Sequence, residues 1–371
     1  MEHRKASAAL APIGRRAPWI LAAAASAPAS AALAHGGEDL SEGAIWSAWS
    51  LRPEIGLPIL IVLAIYIRGV ARRRSAAHPP PAGRHVLFAT GMLALFLSLQ
   101  SPLDPMGERL FLAHQIQHLL LRMTGPMLVV LARPQAVLVA GLPAALRRRL
   151  VVPVMTAGAV AGPYHHLVRP VPAFVLFVLS LYLWQIPQVH NAALRDEAIH
   201  WSMHLTMLAA GFVFFAMIFD RRDLPTAPPH FLRIVLLFAA IVANIGLGAL
   251  TVFKTAVLYT AYDDRGRLFG MAALTDETAG GFVLWVPASM MLIIAILVVV
   301  YDWNLTETQR LRRGHGVGGA GGAAALAGHV ADGDPARQTA ATARLGLLLG
   351  VGALTMFALV LGTGALVVSL G

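Results

Sequence analysis

Two pairs of histidines carry the most chemical potential in this sequence. His114 and His118 are four residues apart, as are His200 and His204. On a helix, residues four apart project from one face, one turn above the other, so each pair can present two imidazoles to one metal ion. Met203 and Met207 fall on the same stripe as His200 and His204. Imidazole combined with thioether suits copper, above all Cu(I). Two such helices facing each other offer up to four nitrogens. The competing expectation is that these histidines hydrogen-bond between helices, and that the methionines are ordinary packing. The sequence has no cysteine, which excludes disulfides, thiolate zinc sites and CxxC redox chemistry. HExxH, GxSxG and Walker patterns are also missing, so hydrolase chemistry finds no support and a non-enzymatic protein is expected.

The elements that must position these groups are membrane helices. Of the 371 residues, 57% are hydrophobic and 13% are charged, against roughly 25% charged in soluble chains. Apolar runs long enough to span a bilayer lie near 54–70, 85–101, 110–132, 171–187, 198–219, 231–253 and 279–301. A Gly/Ala-rich linker over 306–344 follows, and a further run covers 345–370. The expected fold is all-α: a polytopic transmembrane helical bundle with about seven core spans (54–305) and one C-terminal span. Residues 134–165 are semi-apolar and proline-broken, with an interfacial helix expected around 142–150. Residues 1–34 resemble a secretory signal: a basic start, a short apolar stretch from Trp19 and an Ala32-Leu33-Ala34 cleavage site. Cleavage there makes His35 the first residue of a polar arm over 35–53, where a terminal amine and an imidazole could chelate a metal.

The net charge of +10 is mostly arginine, gathered in short clusters between apolar runs. That is the distribution of cytoplasmic loops, not of a nucleic-acid surface. With the mature N-terminus outside, eighteen of the 29 Lys and Arg residues fall in inner loops and six in outer segments. This positive-inside bias implies a bacterial inner membrane protein, in contact with lipid, whose four histidines sit at the periplasmic ends of the third and fifth spans. His190 lies in the outer loop before the fifth span, and Asp104 lies in another outer segment. Asp276 and Glu277, at the start of the seventh span, could steer cations or be solvated loop charges. Gly280-Gly281 with Trp285 and Pro287 mark a close-packed, kinked helix.

Arg122 is eight residues beyond His114, roughly 18 Å into the third span at 1.5 Å per residue. A charge at such depth costs about 2.5–3.5 kcal/mol on insertion scales, and no mid-span carboxylate is available to pair with it. Backbone carbonyls, a water-filled cavity, an anionic ligand or snorkelling to the interface are the possible compensations.

Several motifs occur together and in order: Trp46-x-x-Trp49, His114-Gln-Ile-Gln-His118-Leu-Leu-Leu followed by Pro126, Asn191-Ala-Ala-Leu, His200-x-x-x-His204-Leu-Thr and Gly280-Gly-Phe-Val-Leu-Trp-Val-Pro287. Over roughly residues 44–305 the chain resembles the CtaG-type membrane family of cytochrome c oxidase assembly factors. The resemblance implies help in assembling cytochrome c oxidase, with its subunits as partners and copper delivery as the inferred role, and it carries the family's histidines onto His114, His118, His200 and His204. Arg122, where an apolar residue or Met is expected, departs from the pattern, and the segment beyond 305 lies outside it. Three other functions fit the residues: a membrane cytochrome with haem held by paired histidines, a transporter with Arg122 and Asn244 along its path, and a scaffold whose histidines serve packing alone.

Overall fold

The computed structural model describes residues 43–74, 79–222, 227–315 and residue 351. Every regular element among them is helical. The expected signal, His35, most of the Gly/Ala-rich linker and nearly all of the last expected span fall outside the described residues.

The apolar runs become α1 (Pro53–Arg73), α2 (Ala82–Gln100), the short α3 (Leu103–Gly107), α4 (Phe111–Ala132) and α5 (Gln135–Gly141). After a broken helical stretch over 144–156 come α6 (Gly158–Leu167), α7 (Pro170–Gln185), α8 (Pro187–Arg195), α9 (Glu197–Ile218), α10 (His230–Val252) and α11 (Ala273–His315). Five helices are long and apolar enough to cross a membrane, and seven spans result if each of two bent pairs counts as one. The bent pairs are α4 with α5, turning by 74°, and α6 with α7, turning by 76°. The semi-apolar stretch thus holds several short helices where one interfacial helix was expected. Outward faces of α1 and α10 show Leu57, Leu60, Ile67, Phe238 and Leu250 to the surroundings, as helices in lipid must.

Local sequence explains most boundaries. Proline opens α1, α7 and α8, where its missing N–H is no loss and its fixed φ already suits a helix. Asp196 caps α9 by accepting from the Ile199 N–H at 2.9 Å, as a good N-cap side chain does. The seventh core helix, α11, begins six residues before the expected 279 and continues past 301 to His315, ten residues into the expected linker. Its early start follows from the burial of Asp276 and Glu277, described below.

Inside α4, Leu119–Thr124 winds as a π-helical turn. Its cause is Pro126, which has no N–H for the Arg122 carbonyl four residues back and whose ring would crowd that carbonyl in a regular helix. The same carbonyl marks the crossing with α9. A Cβ added at Gly211 would collide with the Arg122 carbonyl oxygen and press on the Pro126 ring, so only glycine lets the two backbones meet. Since the obstacle is backbone and cannot rotate away, Gly211→Ala is expected to lower stability by about 1–3 kcal/mol. Thermal unfolding of the purified protein in detergent reads this directly, and an unchanged midpoint would contradict the crossing.

Candidate metal centre

The histidine end of the bundle is built on two buried carboxylates. Asp276 and Glu277, at the start of α11, are both fully buried. Asp276 accepts from the backbone N–H groups of Phe111 and Leu112 at 2.8 and 2.9 Å. The first N–H groups of a helix have no partner within it, so a carboxylate from another helix starts α4 and fixes its height. Glu277 accepts from the N–H groups of Leu258 and Tyr259 at 3.0 and 2.8 Å. Arg267 pairs with Asp276, and Lys254 with Glu277. These carboxylates are therefore structural struts, which corrects both expectations for them: solvated loop charges and cation-steering groups. Peptide N–H groups and two cations supply what water would have supplied, so their burial is tolerated.

The loop between α10 and α11 is pinned from a second side by Asn191 of α8. Its side chain donates to the Leu258 carbonyl at 3.2 Å and accepts from the Ala261 N–H at 3.1 Å. Phe111 stacks on Tyr259 with centroids 4.3 Å apart. A Cβ at Gly280 would run into the Phe111 ring, which is why α11 can pass close behind it.

Held in this frame, α4 and α9 bring four imidazoles together. Centroids are 4.3 Å apart for His114 and His118, 4.4 Å for His200 and His204, and 5.2, 5.5 and 5.8 Å for the interhelical pairs His114–His200, His118–His204 and His114–His204. One ligand nitrogen from each of His114, His118 and His204 lies within 4.8 Å of the others. All three residues are buried, with exposures of 0, 2 and 4%. His200 is half-buried at the rim, and its Nε2 is 3.2 Å from His204 Nε2, an N–H···N spacing.

The donor set fits a metal on one specific ground. His114 Nε2 and both ring nitrogens of His118 are buried without a hydrogen-bond partner among the described residues. Histidines that served only helix packing would bond these atoms, because a buried unpaired polar group costs about 1–3 kcal/mol.

His190 and Tyr262 set the state of His114. His190 Nδ1 is 2.9 Å from the Trp184 carbonyl, which can only accept, so Nδ1 carries the proton. Burial pushes His190 down to about 4, leaving the ring neutral and its Nε2 an acceptor. Tyr262, itself held well above the ordinary phenol range by burial, donates its O–H to that Nε2 at 2.8 Å. The phenol oxygen then accepts from His114 Nδ1 at 2.9 Å. By elimination, His114 keeps a lone pair on Nε2, the nitrogen without a partner. Outer hydrogen bonds of this kind fix the tautomer and orientation of a metal-ligating histidine. Tyr262 was not a sequence candidate. A tyrosine in a loop without periodicity gives no signal, and only the contact 148 residues distant from His114 reveals it. Tyr262→Phe is expected to weaken metal binding about 10- to 100-fold with little change in fold. Competition against a chelator of known affinity measures this.

The other sequence candidates lie around this centre. Asp104 is engaged by Arg52 at 3.4 Å and Gln117 at 3.0 Å. Met203 and Met207 are fully buried in a cluster with Leu181, Trp184 and Leu284, and Met207 also lines a small cavity below His118 with Asn244 and Arg122. Arg122 is 3% exposed, so it does not snorkel. Its Nη2 donates to the Phe177 carbonyl at 2.6 Å and its guanidinium lies 3.6 Å from the centre of the Phe177 ring. A backbone carbonyl and an aromatic face thus take the place of a carboxylate.

The profile of the Caa3_CtaG family, described as a cytochrome c oxidase caa3 assembly factor, matches residues 64–305. An uncharacterised protein of Mycobacterium leprae (strain TN) is 26% identical over 265 residues, covering 70% of this chain and 40% of the relative. An uncharacterised protein of Mycobacterium tuberculosis is 27% identical over 272 residues, with the same coverage. The chain therefore spans about 40% of the length of these curated relatives. No solved structure matches significantly.

Proposed function

Because the chain belongs to the caa3-type cytochrome c oxidase assembly-factor family, we propose that it carries copper as cargo on His114, His118 and His204 and passes it to an oxidase subunit in the same membrane. The observation that carries this reading is the set of unpartnered ring nitrogens on His114 and His118, buried beside His204. Imidazole is a good donor for copper, and Met207, which lines the small cavity beside His118, is the thioether to join it when the ion is Cu(I). Bonds of about 2 Å put two nitrogens of one ion no more than about 4 Å apart, close to the spacing within which the triad's nitrogens already lie. His200, half-buried and in contact with His204, is the group at which the ion enters and leaves. Release is then ligand exchange, with each bond to the donor replaced by one to the acceptor. The arginine distribution favours the periplasmic side of a bacterial inner membrane for this end of the bundle.

The spacing favours an ion over haem. A haem iron takes at most two axial histidines, whereas ligand nitrogens of three imidazoles converge here.

Copper and haem analysis of the purified protein tests the proposal, with His114→Ala and His204→Ala measured beside the parent. About one copper per chain, lost in both variants together with oxidase activity in cells, is expected. Copper content and oxidase assembly unchanged in both variants would remove the cargo role, and a Soret band would replace it with a cytochrome.

A further inference from the structure

At the opposite end of the bundle, α2, α4, α9, α10 and α11 surround a cavity of about 90 Å³, several times the room one water needs. Four guanidiniums line it: Arg84 at the start of α2, Arg133 just after α4, Arg221 after α9 and Arg233 in α10. Among the described residues, Asp302 of α11 is the one carboxylate in its lining. That carboxylate is already engaged, 2.6 Å from Arg221 and 3.8 Å from His230. Arg233 is buried and spends its donors on the Pro228 and Ile218 carbonyls at 2.9 and 3.2 Å. Arg84 and Arg133 are half-buried, and neither guanidinium has a hydrogen-bond or ion-pair partner among the described residues.

Like charges drawn into a shared cavity repel one another, and Arg84 and Arg133 carry that repulsion with no bond among the described residues to offset it. Arg133 even holds a left-handed backbone at φ +50°, which L residues adopt reluctantly, at the end of α4. An arrangement of planar donors with one engaged carboxylate among them is what a tetrahedral oxyanion completes, because the unengaged guanidiniums of Arg84 and Arg133 can each give it two parallel N–H bonds. The cavity lies at the ends of helices long and apolar enough to span a membrane, and basic pockets between spans at headgroup level take phospholipid headgroups.

We propose that this cavity, formed where Arg84 and Arg133 converge with Arg221 and Arg233, is a binding site for a phosphate ester. Two sources share that chemistry: the headgroup of an anionic phospholipid, and a free phosphorylated solute. The site is separate from the histidines and does not depend on what they hold.

Thermal stability of the full-length purified protein tests it in three settings: phosphatidylcholine vesicles, the same vesicles with phosphatidylglycerol, and detergent with inorganic phosphate. The parent is compared with Arg84→Gln, Arg133→Gln and Arg84→Lys, and with Arg148→Gln as an exposed control of equal charge change. In phosphatidylcholine vesicles or in detergent without inorganic phosphate the variants are expected to melt with the parent, since the Arg84 and Arg133 guanidiniums have no internal bonds to lose among the described residues. Stabilisation by phosphatidylglycerol is expected to need about tenfold more lipid in either glutamine variant than in the control, with the lysine variant in between. Stabilisation by inorganic phosphate with the same dependence on Arg84 and Arg133, and none by the vesicles, supports the site and assigns it to a free solute. Equal weakening in Arg148→Gln and Arg84→Gln shows diffuse surface charge and overturns the proposal, as does an absence of stabilisation by either source.

Discussion

His118→Ala is expected to abolish copper binding, with affinity falling by at least about 100-fold, while the protein folds as well as the parent or slightly better. The two halves of this result come from one observation: both ring nitrogens of His118 are buried and neither has a partner among the described residues. A histidine retained for packing contributes hydrogen bonds, and its removal exposes the groups it satisfied. Here there are none to expose. Deleting the ring relieves an unpaired polar group worth about 1–3 kcal/mol and opens a small cavity whose cost is of similar size and opposite sign. The net change in stability is therefore small, whereas the loss to the ion is one of three imidazoles. His114 makes a less clean test, since its Nδ1 supports Tyr262. Thermal unfolding and a copper titration on the same preparation read both halves. A strongly destabilised variant would mean that His118 has a structural role after all.

Asp276→Ala is expected to be the most damaging single change to the fold, with a loss of about 3–5 kcal/mol. The carboxylate starts α4 through two backbone N–H bonds and neutralises Arg267, whose side chain is 5% exposed. Its removal leaves a buried guanidinium with Glu277 at 3.6 Å and the more exposed Asp263 as its remaining carboxylates. Two helix-terminal N–H groups are orphaned as well. Since α4 carries His114 one turn from Phe111, the metal centre should loosen even where the chain still folds. Asp276→Asn keeps an acceptor for one N–H and should fall between the parent and the alanine variant. Yield and thermal midpoint in detergent measure the series, and an alanine variant as stable as the parent would contradict the strut.

Much of this architecture was legible in the residues. The apolar runs located six of the seven core helices to within a few residues and the apolar middle of α11, because a span has to be long and nearly continuous in apolar side chains. The two HxxxH pairs pointed to one place because period 3.6 fixes the face of a helix and the alternation of spans fixes the end. The motif resemblance agrees with the family profile over 64–305. What the sequence concealed depends on contacts between distant segments. Asp276 and Glu277 read as loop charges because their partners, Phe111, Leu112, Leu258 and Tyr259, contribute backbone N–H groups that have no sequence signature. Tyr262 and His190 act on His114 through space. The π-helical turn was implicit in Pro126, but its use, letting α9 approach at Gly211, emerges only from the crossing. Arg122 showed its cost without showing the Phe177 carbonyl and ring that meet it.

X-ray absorption at the copper edge, on protein loaded with one equivalent of Cu(I), addresses the central claim most directly. The expected spectrum has a first shell dominated by imidazole nitrogen at about 2.0 Å, with nitrogen lost from the shell in His118→Ala. A copper shell identical in the parent and in His118→Ala would contradict it, placing the ion elsewhere and leaving the buried histidines without the role assigned to them.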